Sequence, residues 1–88
     1  DMSYTLSDLG LGYRKLKRFP KALASYERAR QMREAAYRDD PNDVRVLNAL
    51  GQVYWRMGWT QVDAGAPEAA VELGRKSVDY FGRAVRVA

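Results

Sequence analysis

The sequence predicts an all-α chain, with four helices paired into two antiparallel hairpins and stacked as a fragment of an α-solenoid. Three observations lead there. Leu6-x2-Leu9-Gly10-x2-Tyr13 recurs 41 residues later as Leu47-x2-Leu50-Gly51-x2-Tyr54, and self-similarity at such a period marks stacked helical units. Apolar residues recur at spacings of three and four, with no strand-period alternation competing. Gly and Pro total ten, and most fall where a helix should start or stop.

The first helix is predicted from about Tyr4 to Lys17, on the stripe Leu6, Leu9, Tyr13, Leu16 with Gly10 beside it and Ser3 or Thr5 as cap. Lys17-Arg18-Phe19-Pro20 is the turn, and Pro20 suits the first position of a helix, where its missing N–H costs nothing. The second helix runs from Pro20 to about Arg38 on Ala22, Tyr26, Ala29, Arg33 and Ala36, with Leu23, Met32 and Tyr37 alongside. Asp39-Asp40-Pro41 breaks it, because the residue before a proline is pushed out of helical geometry. Asn42 or Asp43 then caps a third helix, from Val44 to about Trp59, with Val46, Leu47, Leu50, Tyr54 and Met57 on one side. Gly58 marks an expected stop, and Gln61 to Ala66, with Gly65, reads as a loop-like insertion. Pro67 opens a fourth helix reaching towards Val87, striped by Ala70, Leu73, Ser77, Phe81, Ala84 and Val85, with Gly74 and Gly82 read as close-packing sites. One domain spans residues 1–88, as a repeat over about 4–41 and a second over about 42–88. The chain opens on Asp1 and is read as a segment of a longer protein.

Composition narrows function. Apolar residues at 47% and charged residues at 30% fit a folded domain. With no Cys and no His, thiolate chemistry is excluded, and the commonest general base and metal ligand are missing. Asp39, Asp40 and Asp43 do not match a calcium loop and read as helix caps, so no metal or other cofactor is expected. Glu68 and Glu72 lie where a helix dipole favours them. No apolar run approaches the length of a membrane span, and no secretory signal opens the chain, which suggests a cytoplasmic setting and no membrane partner. The reading is non-catalytic.

The residues resemble the tetratricopeptide repeat family, whose helix A carries Leu-Gly then Tyr and whose helix B carries a small–aromatic–small triplet closed by Pro. Leu9-Gly10, Tyr13, Ala22, Tyr26, Ala29 and Pro41 match in the first unit. The resemblance implies that Gly10 allows close approach of the facing helix, that Tyr13 fills the space between helices A and B, and that Tyr13 and Tyr54 have matched surroundings. Leu50-Gly51, Tyr54 and Gly58 match in the second unit. Its helix B fits in either of two registers. Ser77, Phe81 and Ala84 fit after an insertion of about fourteen residues, whereas starting the helix at Pro67 puts Ala69, Leu73 and Lys76 in those places; the first is preferred because it buries Phe81. Leu6 and Leu47 replace the family's leading Trp. The 41-residue offset exceeds the usual ~34 residues and resembles the long repeats of kinesin light chains and bacterial signalling proteins.

The family's helix A lines an inner face, which implies a peptide groove from Ser7, Leu11 and Arg14 on the first helix and Asn48, Gln52 and Trp55 on the third. Trp55 suits an interface hot spot or a core equally, whereas Trp59 is read as core. Arg14, Lys15, Lys17, Arg18 and Lys21 form a basic corner that could meet an anion or nucleic acid; a solvated turn is the preferred reading, since no stacking pattern accompanies it. The outer side of the last helix, with Val78, Tyr80, Val85 and Val87, has no following helix to cover it, and self-association through it is expected.

Overall fold

A computed structural model describes all residues, Asp1–Ala88. Four α-helices follow one another: α1 (Met2–Lys15), α2 (Phe19–Asp39), α3 (Val44–Asp63) and α4 (Pro67–Val87). Each packs on its chain neighbour, and α1 also meets α3. The result is two stacked hairpins, 35 × 26 × 16 Å in extent.

The ends obey local chemistry. Asp1 rather than Ser3 or Thr5 caps α1, accepting from the Ser3 and Tyr4 amides, and Asp43 caps α3 through the Arg45 amide. At the other end of α1, Lys17 donates to the Arg14 carbonyl and Arg18 to the Tyr13 carbonyl, a Schellman closure with Lys17 in the left-handed region at φ 59°. The end of α3 repeats it: Gly65 donates to Val62 and Ala66 to Gln61, with Gly65 at φ 85°.

The core joins Leu6, Ala22, Tyr26, Ala29, Leu50, Val53, Tyr54 and Met57. Leu9 and Leu16, predicted for the α1 stripe, are 47% and 69% exposed, because α1 has neighbours only in α2 and α3. The two units share one register in their hearts. A Cβ on Gly10 would fall 2.6 Å from the Tyr26 ring, and one on Gly51 would fall 2.7 Å from the Phe81 ring. Ser77 and Ala84 are buried either side of Phe81, and Ser77 Oγ donates to the Gly51 carbonyl at 2.9 Å. Ser77, Phe81 and Ala84 therefore correspond to Ala22, Tyr26 and Ala29, although Phe81 itself stays 38% exposed. Gly74 and Gly82 are not close-packing sites: around Gly74 nothing lies within 4 Å of a Cβ, and around Gly82 only the Arg86 side chain does.

The insertion is mostly helix: of the stretch predicted as loop, residues 61–63 continue α3 and residues 64–66 form the turn. Tyr26 and Phe81 are 55 positions apart, 14 more than the 41 that separate Gly10 from Gly51. Seven of the 14 prolong α3, whose closure falls 48 residues after that of α1; the other seven precede the register of α4. Seven residues are close to two helical turns, so both arms of the second hairpin lengthen together and the register beyond is preserved.

Tyr13 and Tyr54 are not equivalent in detail. Tyr54 is buried, stacked on Tyr80 with ring centres 5.7 Å apart, and it donates to Glu34 at 3.1 Å. Tyr13 is half-buried with the Lys21 ammonium 5.8 Å above its ring. Tyr54 lies between α2 and α4, whereas α1 packs against α2 and α3 alone among the four helices.

Candidate functional site

The lengthened hairpin carries the chain's principal exposed aromatic surface. Trp55 and Trp59 lie one turn apart on α3, 53% and 45% exposed, and their rings meet edge to face at 5.8 Å. With Val62 they wall a slot of about 190 Å³, closed by Ala70 and Gly74 of α4 and by Gly58 of α3. The slot exists because Gly58 and Gly74 present no side chain between the two helices and because the insertion supplies Trp59, Val62 and Ala70. Arg14 of α1 braces it. The Arg14 Nε donates to Asp63 at 2.7 Å, and the guanidinium lies 5.8 Å from the Trp59 ring centre. Such a slot can take an apolar side chain by excluding water; it offers no chemistry for bond-making.

The six residues predicted for a peptide groove separate into two groups. Trp55 and Asn48 are exposed, Leu11 and Arg14 half-buried. Ser7 is not on that surface: it is wholly buried, accepting from Arg56 Nη1 at 2.9 Å and donating to Gln52 Oε1 at 3.4 Å. Gln52 also accepts from Arg33 at 3.1 Å. The reason is tertiary. The helix faces turned away from each hairpin's own core meet one another where α1 packs on α3, so Ser7 and Gln52 join the repeats together. Arg14, predicted as part of that groove, already holds Asp63.

The remaining candidates disperse. Lys21 lies over Tyr13 and Arg14 is paired, which leaves Lys15, Lys17 and Arg18 exposed at the turn. Asp43 is a cap, and no group of acidic residues is arranged to hold a metal ion. Tyr80 is not on the outer side of α4. It is half-buried between Tyr54 and Tyr37 and donates to Glu34 at 3.1 Å; burial and the Glu34 carboxylate push its pKa up to about 12. Val78 and Val85 are on that outer side, 72% and 78% exposed, with Val71 at 62% and Val87 at 42%.

One functional group escaped sequence reasoning. Arg33 is 3% exposed, and burial lowers its pKa. Its Nη1 donates to the Ala49 carbonyl at 2.7 Å and its Nε to Ser3 Oγ at 3.1 Å. The signal was an arginine in line with Ala22, Tyr26 and Ala29.

Two stacked antiparallel helical hairpins define a helical-repeat class of protein. The family model described as "Tetratricopeptide repeat" matches residues 1–83, and the chain belongs to that family. No curated protein and no solved structure matches it. The family is typically a non-catalytic module of protein–protein interaction, and no helix here is long and apolar enough to cross a membrane.

Proposed function

We propose that this chain is a non-catalytic scaffold, one stretch of a longer array of the long-repeat subclass, which holds a partner protein by an apolar side chain seated between Trp55 and Trp59. The observation that carries the reading is the exposed tryptophan pair walling a slot floored by two glycines. Trp is enriched at interface hot spots, and exposing two of them on a small domain forgoes much burial energy. Leu11, Arg14 and Asn48 extend the surface along α1 and α3, where amide and guanidinium groups would hold an extended backbone. Selecting peptides from a random library and mapping the amide shifts they cause tests this. Shifts concentrated at residues 55–62 and 70–74 support the slot; binders that leave those amides unmoved contradict it.

Val71, Val78 and Val85 favour a second reading, self-association through the outer side of α4, since they recur every seven residues and stay exposed. Sedimentation across a concentration series tests it, and Val78→Glu should abolish any dimer found; a chain that stays monomeric throughout rules it out.

A further inference from the structure

A cavity of about 290 Å³ opens at the other end of α3 from the tryptophan slot, between the first turns of α1 and α3 and the later turns of α2. Arg33 is among its lining residues, nine-tenths and more removed from solvent, and no Asp or Glu pairs with it. Two of its nitrogens are committed to Ser3, Ala49 and Gln52. The third, Nη2, is buried with no hydrogen-bond partner. A buried cation without a counter-charge is costly, and a guanidinium with one uncommitted donor suits a carboxylate oxygen. The Tyr4 ring lies over the guanidinium, 4.7 Å from ring centre to carbon. Tyr4 is 47% exposed, so its ring is free on one side to swing aside.

We propose that this cavity takes the carboxylate of a glutamate side chain from a bound protein segment, with Arg33 Nη2 as its inner donor. The proposal rests on the reading of the chain as a protein-binding module. Met32, Ala36 and Val46 line the cavity and would lie along the methylenes of such a side chain. Arg45, almost wholly exposed, stands at the rim with its guanidinium 3.6 Å from the Asp43 carboxylate, which it partly neutralises. Asp1 and Asp43 line the cavity too, but they are turned to backbone amides as the caps of α1 and α3. Their charges disfavour a dianion such as phosphate, which would meet one inner cation and two carboxylates. Both helix N-termini, whose dipoles favour negative charge, open onto the same space.

The test uses small probes, so that it stands apart from the tryptophan slot. N-acetylglutamate N-methylamide is titrated into the protein while the Arg33 Nε–Hε resonance is followed by NMR, with the glutamine analogue as the neutral control. The expected result is a saturable shift with the glutamate probe and none with glutamine. Ala36→Leu fills the cavity while leaving Arg33 in place, and should weaken binding by about tenfold or more; Trp59→Ala should change nothing. Equal responses to both probes, equal binding by Ala36→Leu, or an equal response to chloride at the same concentration (an adventitious ion only) each overturn the proposal. If peptides still bind at residues 55–62 after such a failure, the glutamate assignment alone falls.

Discussion

Gly10 and Gly51 hold matched positions yet should answer differently to the same change. Alanine gains up to ~1 kcal/mol of helix propensity over glycine at either place. At Gly10 the new methyl would meet Tyr26, which is fully buried and has nowhere to go, and overpacking of that kind costs about 1–3 kcal/mol. Gly10→Ala should therefore lower stability by roughly 1–2 kcal/mol in urea unfolding. Phe81, partly exposed, can swing outward, so Gly51→Ala should stay within about 1 kcal/mol of the parent. The Tyr26 hydroxyl finds no hydrogen-bond partner, and Tyr26→Phe should be neutral or stabilising by up to ~1 kcal/mol. The glycines and their aromatic partners were legible from spacing alone, because a Leu-Gly pair and a small–aromatic–small triplet fix which faces touch. Arg33 was legible as a position but not as a site. Periodicity placed it on the buried stripe, and only tertiary geometry reveals that one nitrogen lacks a partner.

Among the elements, the ends of α1 and α3 close by the same pair of hydrogen bonds, but Lys17 stands where Gly65 stands. A side chain in left-handed geometry costs roughly 1 kcal/mol that glycine avoids. Lys17→Gly should raise the denaturant midpoint without changing its slope; an unchanged or lowered midpoint would show that Lys17 makes a compensating contact. The bounds of α2 and α4 were legible because proline marks each beginning. The length of α3 was not. Gly58 occupies the place in the repeat where Lys17 ends α1, so a stop there is chemically reasonable. The helix runs on because Trp59, Thr60 and Val62 continue its pattern and α4 begins two turns early to pack against them. Residues 59–72 are the fourteen that separate the two units' spacings. Excising them should bring Gly58 to the left-handed closing position and leave Phe81 on Gly51, a product that circular dichroism should report as helical and cooperatively unfolding.

Across the whole molecule, one carboxylate ties three helices. Glu34 of α2 accepts from Tyr54 of α3 and Tyr80 of α4. Burial first, and Glu34 second, raise both phenols above the ordinary 10.0. A phenol whose pKa is higher folded than unfolded contributes stability that is whole below pH 10.0 and fades as pH rises towards about 12. Unfolding should therefore become easier through that window, with phenolate absorbance and loss of helix rising together; Tyr80→Phe should move the alkaline transition upward. The stack itself was legible from the 41-residue echo, whereas the binding surface was only partly so. A helical wheel gives each helix an outer side, but the contact of α1 with α3 decides which outer residues meet each other; it buries Ser7 against the half-buried Gln52 while leaving Trp55 out.

The claim on which the rest depends is that the tryptophan slot is a receptor for an apolar side chain. Gly74 lies on its wall with open space before it, so Gly74→Ala and Gly74→Met should fill the slot in steps while strengthening α4. The decisive measurement is the affinity of a library-selected peptide for the parent chain and these two variants. Affinity should fall from parent to Ala to Met while the melting temperature holds or rises. Equal affinity across the series, with all three folded, would contradict the account.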